Sequence, residues 1–136
     1  MILIDTGVIL AVADASDADH DRCDELLAAN PAALVVPTPM IVEVSWLIED
    51  RIGPAAEASF LRSVTTGELR RIDLTDTDWD RCVDLVERYA DMGLGLVDAS
   101  VVAVAERLGI AAIATLNHRD FTVVRLRHVE AFELLP

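Results

Sequence analysis

Apolar residues fall along this chain in two textures: short unbroken runs, and longer stretches in which they recur every three or four positions. An unbroken run bounded by turn residues reads as a strand buried on both faces, and the wider spacing reads as one face of a helix. On that basis Ile2 to Ile4 is a strand, Thr6 to Ala13 a short helix, and Ala18 to Asn30 an amphipathic helix closed by Asn30-Pro31. Leu34 to Val36 is a second strand, after which Thr38-Pro39 supplies a capping hydroxyl and a proline at the first helical position, opening a helix to about Asp50. Gly53-Pro54 starts a helix ending near Gly67, Leu69 to Leu74 is strand-like, and Thr75 to Asp91 is helical. Val97 to Leu108 is a helix stopped by Gly109, Ile110 to Ala114 a strand, and Phe121 to Val124 and Phe132 to Leu135 are short terminal strand candidates. Strands alternating with helices imply an α/β fold, a three-layer α/β/α sandwich with a mostly parallel central sheet.

Composition narrows what such a fold can be. With 136 residues, 53% of them hydrophobic, and a mean hydropathy of +0.39, the chain suits one domain with a well-buried core, and no linker or low-complexity tract divides it. The richest apolar stretch, Gly93 to Ala114, is interrupted by Asp98, Glu106 and Arg107, so no membrane span is expected. Met1 leads directly into the first strand with no leader-like segment, which makes a cytoplasmic protein the expectation. Cys23 and Cys82 lie in separate helical stretches without a nearby His or second Cys, the pattern of reduced, packed thiols.

All eleven basic residues are arginine, which excludes lysine-centred chemistry such as a P-loop lysine or a Schiff base. It also disfavours a phosphoryl-accepting signalling domain, whose site employs a lysine. The net charge of −13 argues against a broadly basic nucleic-acid surface. Much of that acid, however, sits at two helix starts, Asp17 to Glu25 and Asp76 to Asp84, where carboxylates complement the helix dipole. A local cationic segment remains near the C-terminus, where Arg119, Arg125, Arg127 and His128 offer either an RNA-binding face or ordinary solvated charge. The two acidic starts echo each other, Asp17-Ala-Asp19-His-Asp21-Arg22-Cys23 against Asp76-Thr-Asp78-Trp-Asp80-Arg81-Cys82. The second mimics a calcium loop, but Arg81 stands where that loop's turn needs glycine, so both read as acidic helix starts.

Four oxygen-bearing positions recur at comparable element ends. Asp5 ends the first strand, where open α/β sheets bind ligands, although it also reads as the cap of the following helix. Glu43 falls on the flank of the Met40, Val44, Leu47 and Ile48 stripe and reads either as a cleft-facing acid or as a helix rim residue, whereas Glu49 points away. Asp98 shares a face with Val101, Val102 and Ala105, and a carboxylate aimed toward an apolar side needs a helix N-terminus, a cation or a metal. Thr115, Asn117 and Asp120 lie just beyond a strand, where Asn and Asp are also ordinary turn residues.

Taken in order, the run Ile2 to Thr6, the Glu43 helix, Gly95-Leu-Val-Asp-Ala99 with its alanine-rich helix, and Ala114-Thr-Leu-Asn-His-Arg-Asp-Phe121 resemble the PIN-domain ribonucleases, in particular the VapC-type toxins of bacterial toxin–antitoxin pairs. The resemblance spans the whole chain. It implies a metal-dependent endoribonuclease in which Asp5, Glu43, Asp98 and the Asn117 position surround magnesium or manganese, with Thr6 as hydroxyl partner of the first Asp and Thr115 in support. It also implies an RNA substrate, a small VapB-type antitoxin whose tail fills the acidic groove, and a homodimer. The chain departs from the family pattern at Asn117, which brings an oxygen but no charge, and Asp120 is the candidate to supply the missing carboxylate. On this reading Asn117→Asp would strengthen magnesium binding. The same departure, with the acidic charge, leaves a second reading open: a PIN module that binds RNA or a protein partner without cleavage.

Overall fold

A computed structural model describes residues 1–136. The elements, in order, are β1 (Ile2–Ile4), α1 (Thr6–Ala13), α2 (His20–Ala29), β2 (Leu34–Pro37), α3 (Thr38–Arg51), α4 (Pro54–Thr65), β3 (Arg70–Ile72), α5 (Asp76–Arg88), a 3-10 turn (Ala90–Met92), α6 (Leu96–Leu108), β4 (Ala112–Ala114), α7 (His118–Val123) and β5 (Glu133–Leu135). The central strands are apolar on both faces because both faces are covered: Leu3, Ile4, Val36, Ile113 and Ala114 are all fully buried. The edge strand β3 instead carries exposed Arg70 and Arg71, charges that discourage a further strand from adding there.

All five strands run parallel in the order β3-β2-β1-β4-β5, with Leu3 of β1 opposite Val35 of β2 and Ile113 of β4. From β1 the chain steps outward through β2 to β3, then returns through α5 and α6 to the other side of β1. The direction of winding therefore reverses between β1 and β4, and a crevice opens at the carboxyl ends of those two strands. Around the sheet α1 packs on α2 and α3, α3 on α4, and α5 on α6, while α3 also meets α6. Helix α6 tolerates burial on almost every side because Ala99 to Ala105 are small or β-branched residues with little polar surface, Ser100 returning its hydroxyl to Val97 O at 2.6 Å. No helix is long and apolar enough to cross a membrane.

Two details differ from the sequence expectation. Phe121 to Val124 is not a strand: Phe121 lies in α7 and packs edge-on against Phe132, ring centroids 6.1 Å apart. Phe121 and Val124 are buried three residues apart with exposed Thr122 and Val123 between them, a helical spacing that a four-residue window does not distinguish from an apolar run. Thr38 is the first residue of α3 rather than its cap, and its hydroxyl donates instead to Asp73 Oδ1 at 2.5 Å, tying the end of β2 to the end of β3. In the acidic echo, Thr75 and Asp78 form a reciprocal cap on α5, with hydrogen bonds of 3.1 and 3.0 Å, while Asp17 and Asp19 lie in the turn before α2. These carboxylates begin helices, as expected.

Candidate active site

The β1–β4 crevice is lined by a wired set of side chains. Asp5 continues the ladder, its N–H donating to Ala114 O at 2.8 Å, and its carboxylate then accepts two donors. Oδ1 takes the Thr6 N–H at 2.8 Å and Oδ2 the Thr115 hydroxyl at 2.9 Å. Thr115 is itself fully buried, its N–H given to Leu135 O at 2.8 Å and its Oγ1 accepting the Asn117 N–H at 2.9 Å. Burial raises the pKa of Asp5 above the usual carboxylate range, the bonds from Thr115 and Thr6 oppose that, and the charges of Glu43 and Asp120 add to it. Asp5 is thus both the cap of α1 and an anion held at the sheet edge. The two sequence readings describe one residue.

Glu43 projects from the second turn of α3 and is exposed, with its Oε2 accepting the Thr6 hydroxyl at 2.9 Å. Thr6 therefore bridges two acids: its N–H serves Asp5 and its hydroxyl serves Glu43. The hydroxyl partner of Asp5 is Thr115, a role that sequence order did not reveal because 110 residues separate the pair. Asp98 sits in the first turn of α6, behind Gly95, which caps the helix without a side chain. A helix N-terminus favours a carboxylate, yet the pKa of Asp98 is raised to about 6, first by burial and then by the charges of Asp5, Asp120 and Glu43. No hydrogen bond offsets that crowding.

Beyond β4, Asn117 caps α7, its Oδ1 facing the Asp120 N–H at 3.4 Å. Its Nδ2 donates to Asp120 Oδ2 at 2.7 Å. The amide is occupied in holding α7 and turning Asp120, and it is Asp120 whose charge is felt at both Asp5 and Asp98. The crevice thus gathers Asp5, Glu43, Asp98 and Asp120, with Thr6, Thr115 and Asn117 as their hydrogen-bond partners. No three of the acids close into a ready-made ligand set. Unscreened carboxylates repel one another, and here those of Asp5, Glu43 and Asp120 turn instead to hydroxyl, amide and N–H donors, while Asp98 has none. The donor chemistry, four hard oxygen groups and no thiol or imidazole, suits magnesium or manganese.

Of the three arginines singled out for RNA, Arg119 is exposed beside Asp120 on α7. The Arg125 N–H is held by the Tyr89 hydroxyl at 2.8 Å. The Arg127 N–H donates to Glu106 at 2.7 Å, and its guanidinium lies 3.7 Å from Asp84. Glu106 is eight residues beyond Asp98 on α6, about 12 Å along the axis, so Arg127 is anchored well away from the acids. Arg119 and Arg125 enter no ion pair, and Arg127 is partly neutralised.

Comparison with known proteins follows the same lines. A family model described as PIN domain matches residues 2–126. The chain is 30% identical over 135 residues to ribonuclease VapC26 of Mycobacterium tuberculosis, covering 99% of this chain and 100% of the relative. It is 30% identical over 114 residues to the 23S rRNA-specific endonuclease VapC20 of the same organism, covering 81% and 84%. In fold it is similar to the crystal structure of that VapC20, described as a sarcin–ricin loop cleaving toxin, with a TM-score of 0.77, 23% identity and 83% and 87% of the chains covered. It is similar also to the DNA-bound VapBC of Salmonella typhimurium, with a TM-score of 0.70, 16% identity and 98% of each chain covered. With the winding reversal, the acids around it and matches over nearly the full length in agreement, this chain belongs to the PIN-domain family, among its VapC members.

Proposed function

We propose that this chain is a metal-dependent endoribonuclease that hydrolyses RNA phosphodiester bonds and acts as the toxin of a toxin–antitoxin pair. The observation that carries the reading is Asp98: a carboxylate half-buried beside Asp5, without a protein donor, and crowded by Glu43 and Asp120 until its pKa reaches about 6. An acid cluster that the fold leaves uncompensated calls for a cation from outside. Asp5, Asp98 and Asp120, with Glu43 at the rim, are the groups that would hold magnesium or manganese. When bound, such an ion stabilises charge on phosphate oxygens and lowers the pKa of a water.

The chain's own contribution is orientation. Thr115 and the Thr6 N–H fix both oxygens of Asp5, the Thr6 hydroxyl holds Glu43 at the mouth of the crevice, and Asn117 turns Asp120 inward. The departure from the family pattern at Asn117 is on this reading a division of labour, Asn117 positioning and Asp120 carrying the charge. Arg119, beside Asp120, would take a phosphate next to the cut, with Arg125 and Arg127 meeting the RNA backbone farther out, a modest basic footprint on an acidic protein. The partners that go with this role are a small VapB-type antitoxin and a second copy of the chain. Because one relative at 30% identity is named for 23S rRNA, ribosomal RNA is the substrate to try first.

The test is incubation of the purified protein with 23S rRNA, with magnesium or manganese against EDTA. Cleavage at defined positions that EDTA abolishes is expected. Binding of RNA without cleavage under either metal would overturn the enzymatic reading and return the chain to a PIN module that binds without cutting.

A further inference from the structure

Helix α7 runs only from His118 to Val123, and it ends on a valine that the core does not use. Val123 is 55% exposed, whereas Phe121 beside it is buried. At about 3.6 residues per turn, Val123 lies one turn beyond Arg119 and Asp120 and between them around the axis. The outward side of α7 therefore carries an acid, a cation and an apolar group together. Asp120 fixes where that side stands, because its charge reaches Asp5 and Asp98 in the crevice. Arg119 is exposed and enters no ion pair. Val123 is thus a rim residue of the crevice, next to a free guanidinium.

Charge decides what such a rim can hold. Double-stranded RNA is gripped through its shape and its phosphates and keeps its bases stacked, whereas an unpaired strand offers its base faces. A chain of net charge −13 with a single free arginine on α7 answers few phosphates. An unpaired nucleotide asks for less: one phosphate for Arg119, and one base whose contact with an apolar side chain does not depend on net charge. An exposed valine beside a catalytic acid has no use in the fold but has this use in recognition.

We propose that Val123 and Arg119 form a nucleotide subsite on α7, in which Arg119 holds a phosphate and Val123 packs on the unpaired base beside it, so that the RNA taken into the crevice is single-stranded or looped there. The proposal rests on RNA entering the acid crevice, and it names the form of RNA that enters.

The probes are fluorescein-labelled RNA hairpins with randomised loops, and fully paired RNA duplexes of the same composition. Binding is followed by anisotropy with calcium as the ion, and cleavage separately with magnesium. The hairpins are expected to bind at least about tenfold more tightly than the duplexes, with a shallow salt dependence that Arg119→Gln flattens further, by about 0.7 in the log–log slope. Val123→Ser should weaken hairpin binding about fivefold, raising KM with little change in kcat. Val123→Trp should tighten it on the order of tenfold by stacking, a gain that a merely structural residue would not give. Val83 on α5, 57% exposed, is the control, and Val83→Ser should leave binding unchanged. Duplexes bound as tightly as hairpins, wild-type binding by Val123→Ser, an equal loss from Val83→Ser, or equal tightening of both RNAs by Val123→Trp would each overturn the proposal, as would no binding of either RNA. Cleavage indifferent to Val123 removes the subsite and keeps the nuclease reading, whereas hairpin binding that responds to Val123 without any cleavage removes the nuclease reading and keeps the subsite.

Discussion

Asp98 and Glu106 stand on the same helix, two turns apart, and the fold treats them in opposite ways. Glu106 accepts Arg81 through both oxygens, at 2.7 and 3.1 Å, and the Arg127 N–H at 2.7 Å. Beside it Asp78 accepts Arg107 at 2.8 Å. The seam between α5 and α6 is a set of acids each answered by an arginine. At the other end of α6, Asp98 joins Asp5, Glu43 and Asp120 with no arginine in an ion pair with any of them. Acid at the helix seam is neutralised within the chain, whereas acid at the crevice has no cationic partner in the chain.

The sharpest way to break the contrast is to remove a crevice acid. Asp5→Asn or Asp98→Asn should lower magnesium-dependent RNA cleavage by about a thousandfold or more, equivalent to roughly 4 kcal/mol, while circular dichroism shows the fold intact. Wild-type cleavage by Asp98→Asn would remove it from the site. The opposite experiment is at the seam. Glu106→Ala leaves the Arg81 guanidinium, 6% exposed, with Asp84 as its one remaining acid, and should cost about 2 kcal/mol in urea denaturation. Cleavage per folded molecule should persist, and lost activity in the folded fraction would show that the seam serves the crevice as well.

Smaller effects separate the two residues of α7. Asp120→Asn should weaken magnesium binding on the order of 10- to 100-fold. Asn117→Asp, expected from sequence to strengthen it, replaces the Nδ2 donor 2.7 Å from Asp120 with a like charge and should instead give no gain. A tighter magnesium titration for Asn117→Asp would reinstate Asn117 as a direct ligand.

The smallest effect is electrostatic and needs no substrate. An aspartate raised from its ordinary 3.8 to about 6 binds more protons folded than unfolded between those values, so metal-free stability falls as pH rises through that window. Near pH 7 in EDTA, Asp98→Asn should be the more stable protein by about 1 kcal/mol, a figure reduced for partial solvent exposure. Near pH 4 the two should coincide, and magnesium should narrow the gap at neutral pH. Parallel stability curves across this range would mean that the crevice does not crowd Asp98.

Much of this was legible before any coordinates. The buried runs at Ile2 to Ile4 and Leu34 to Val36 are strands, and the three- and four-residue spacings mark the helices because burial on one side imposes them. Asp5, Glu43 and Asp98 announced themselves as acids at element ends or on apolar flanks. The short C-terminal elements were harder: in Phe121 to Val124 the strand and helix patterns coincide, and the Asn117 cap and the contact with Phe132 settle it. The arginines near the C-terminus are close in sequence, but Arg127 is drawn to Glu106 and Asp84, partners that belong to other helices.

The alternation of strands and helices, the excess of acid and the absence of lysine are readable from the chain alone, because they depend only on residue type and spacing. So is the set of acids that fall where a parallel sheet ends. What those acids touch follows from the way the chain folds. That Thr115 and not Thr6 gives Asp5 its hydroxyl, and that Glu106 is answered while Asp98 is not, depend on residues dozens of positions apart meeting across the β1–β4 crevice or the α5–α6 seam. Hydrogen bonds and charge effects act over a few ångströms of space, a distance that order along the chain does not encode.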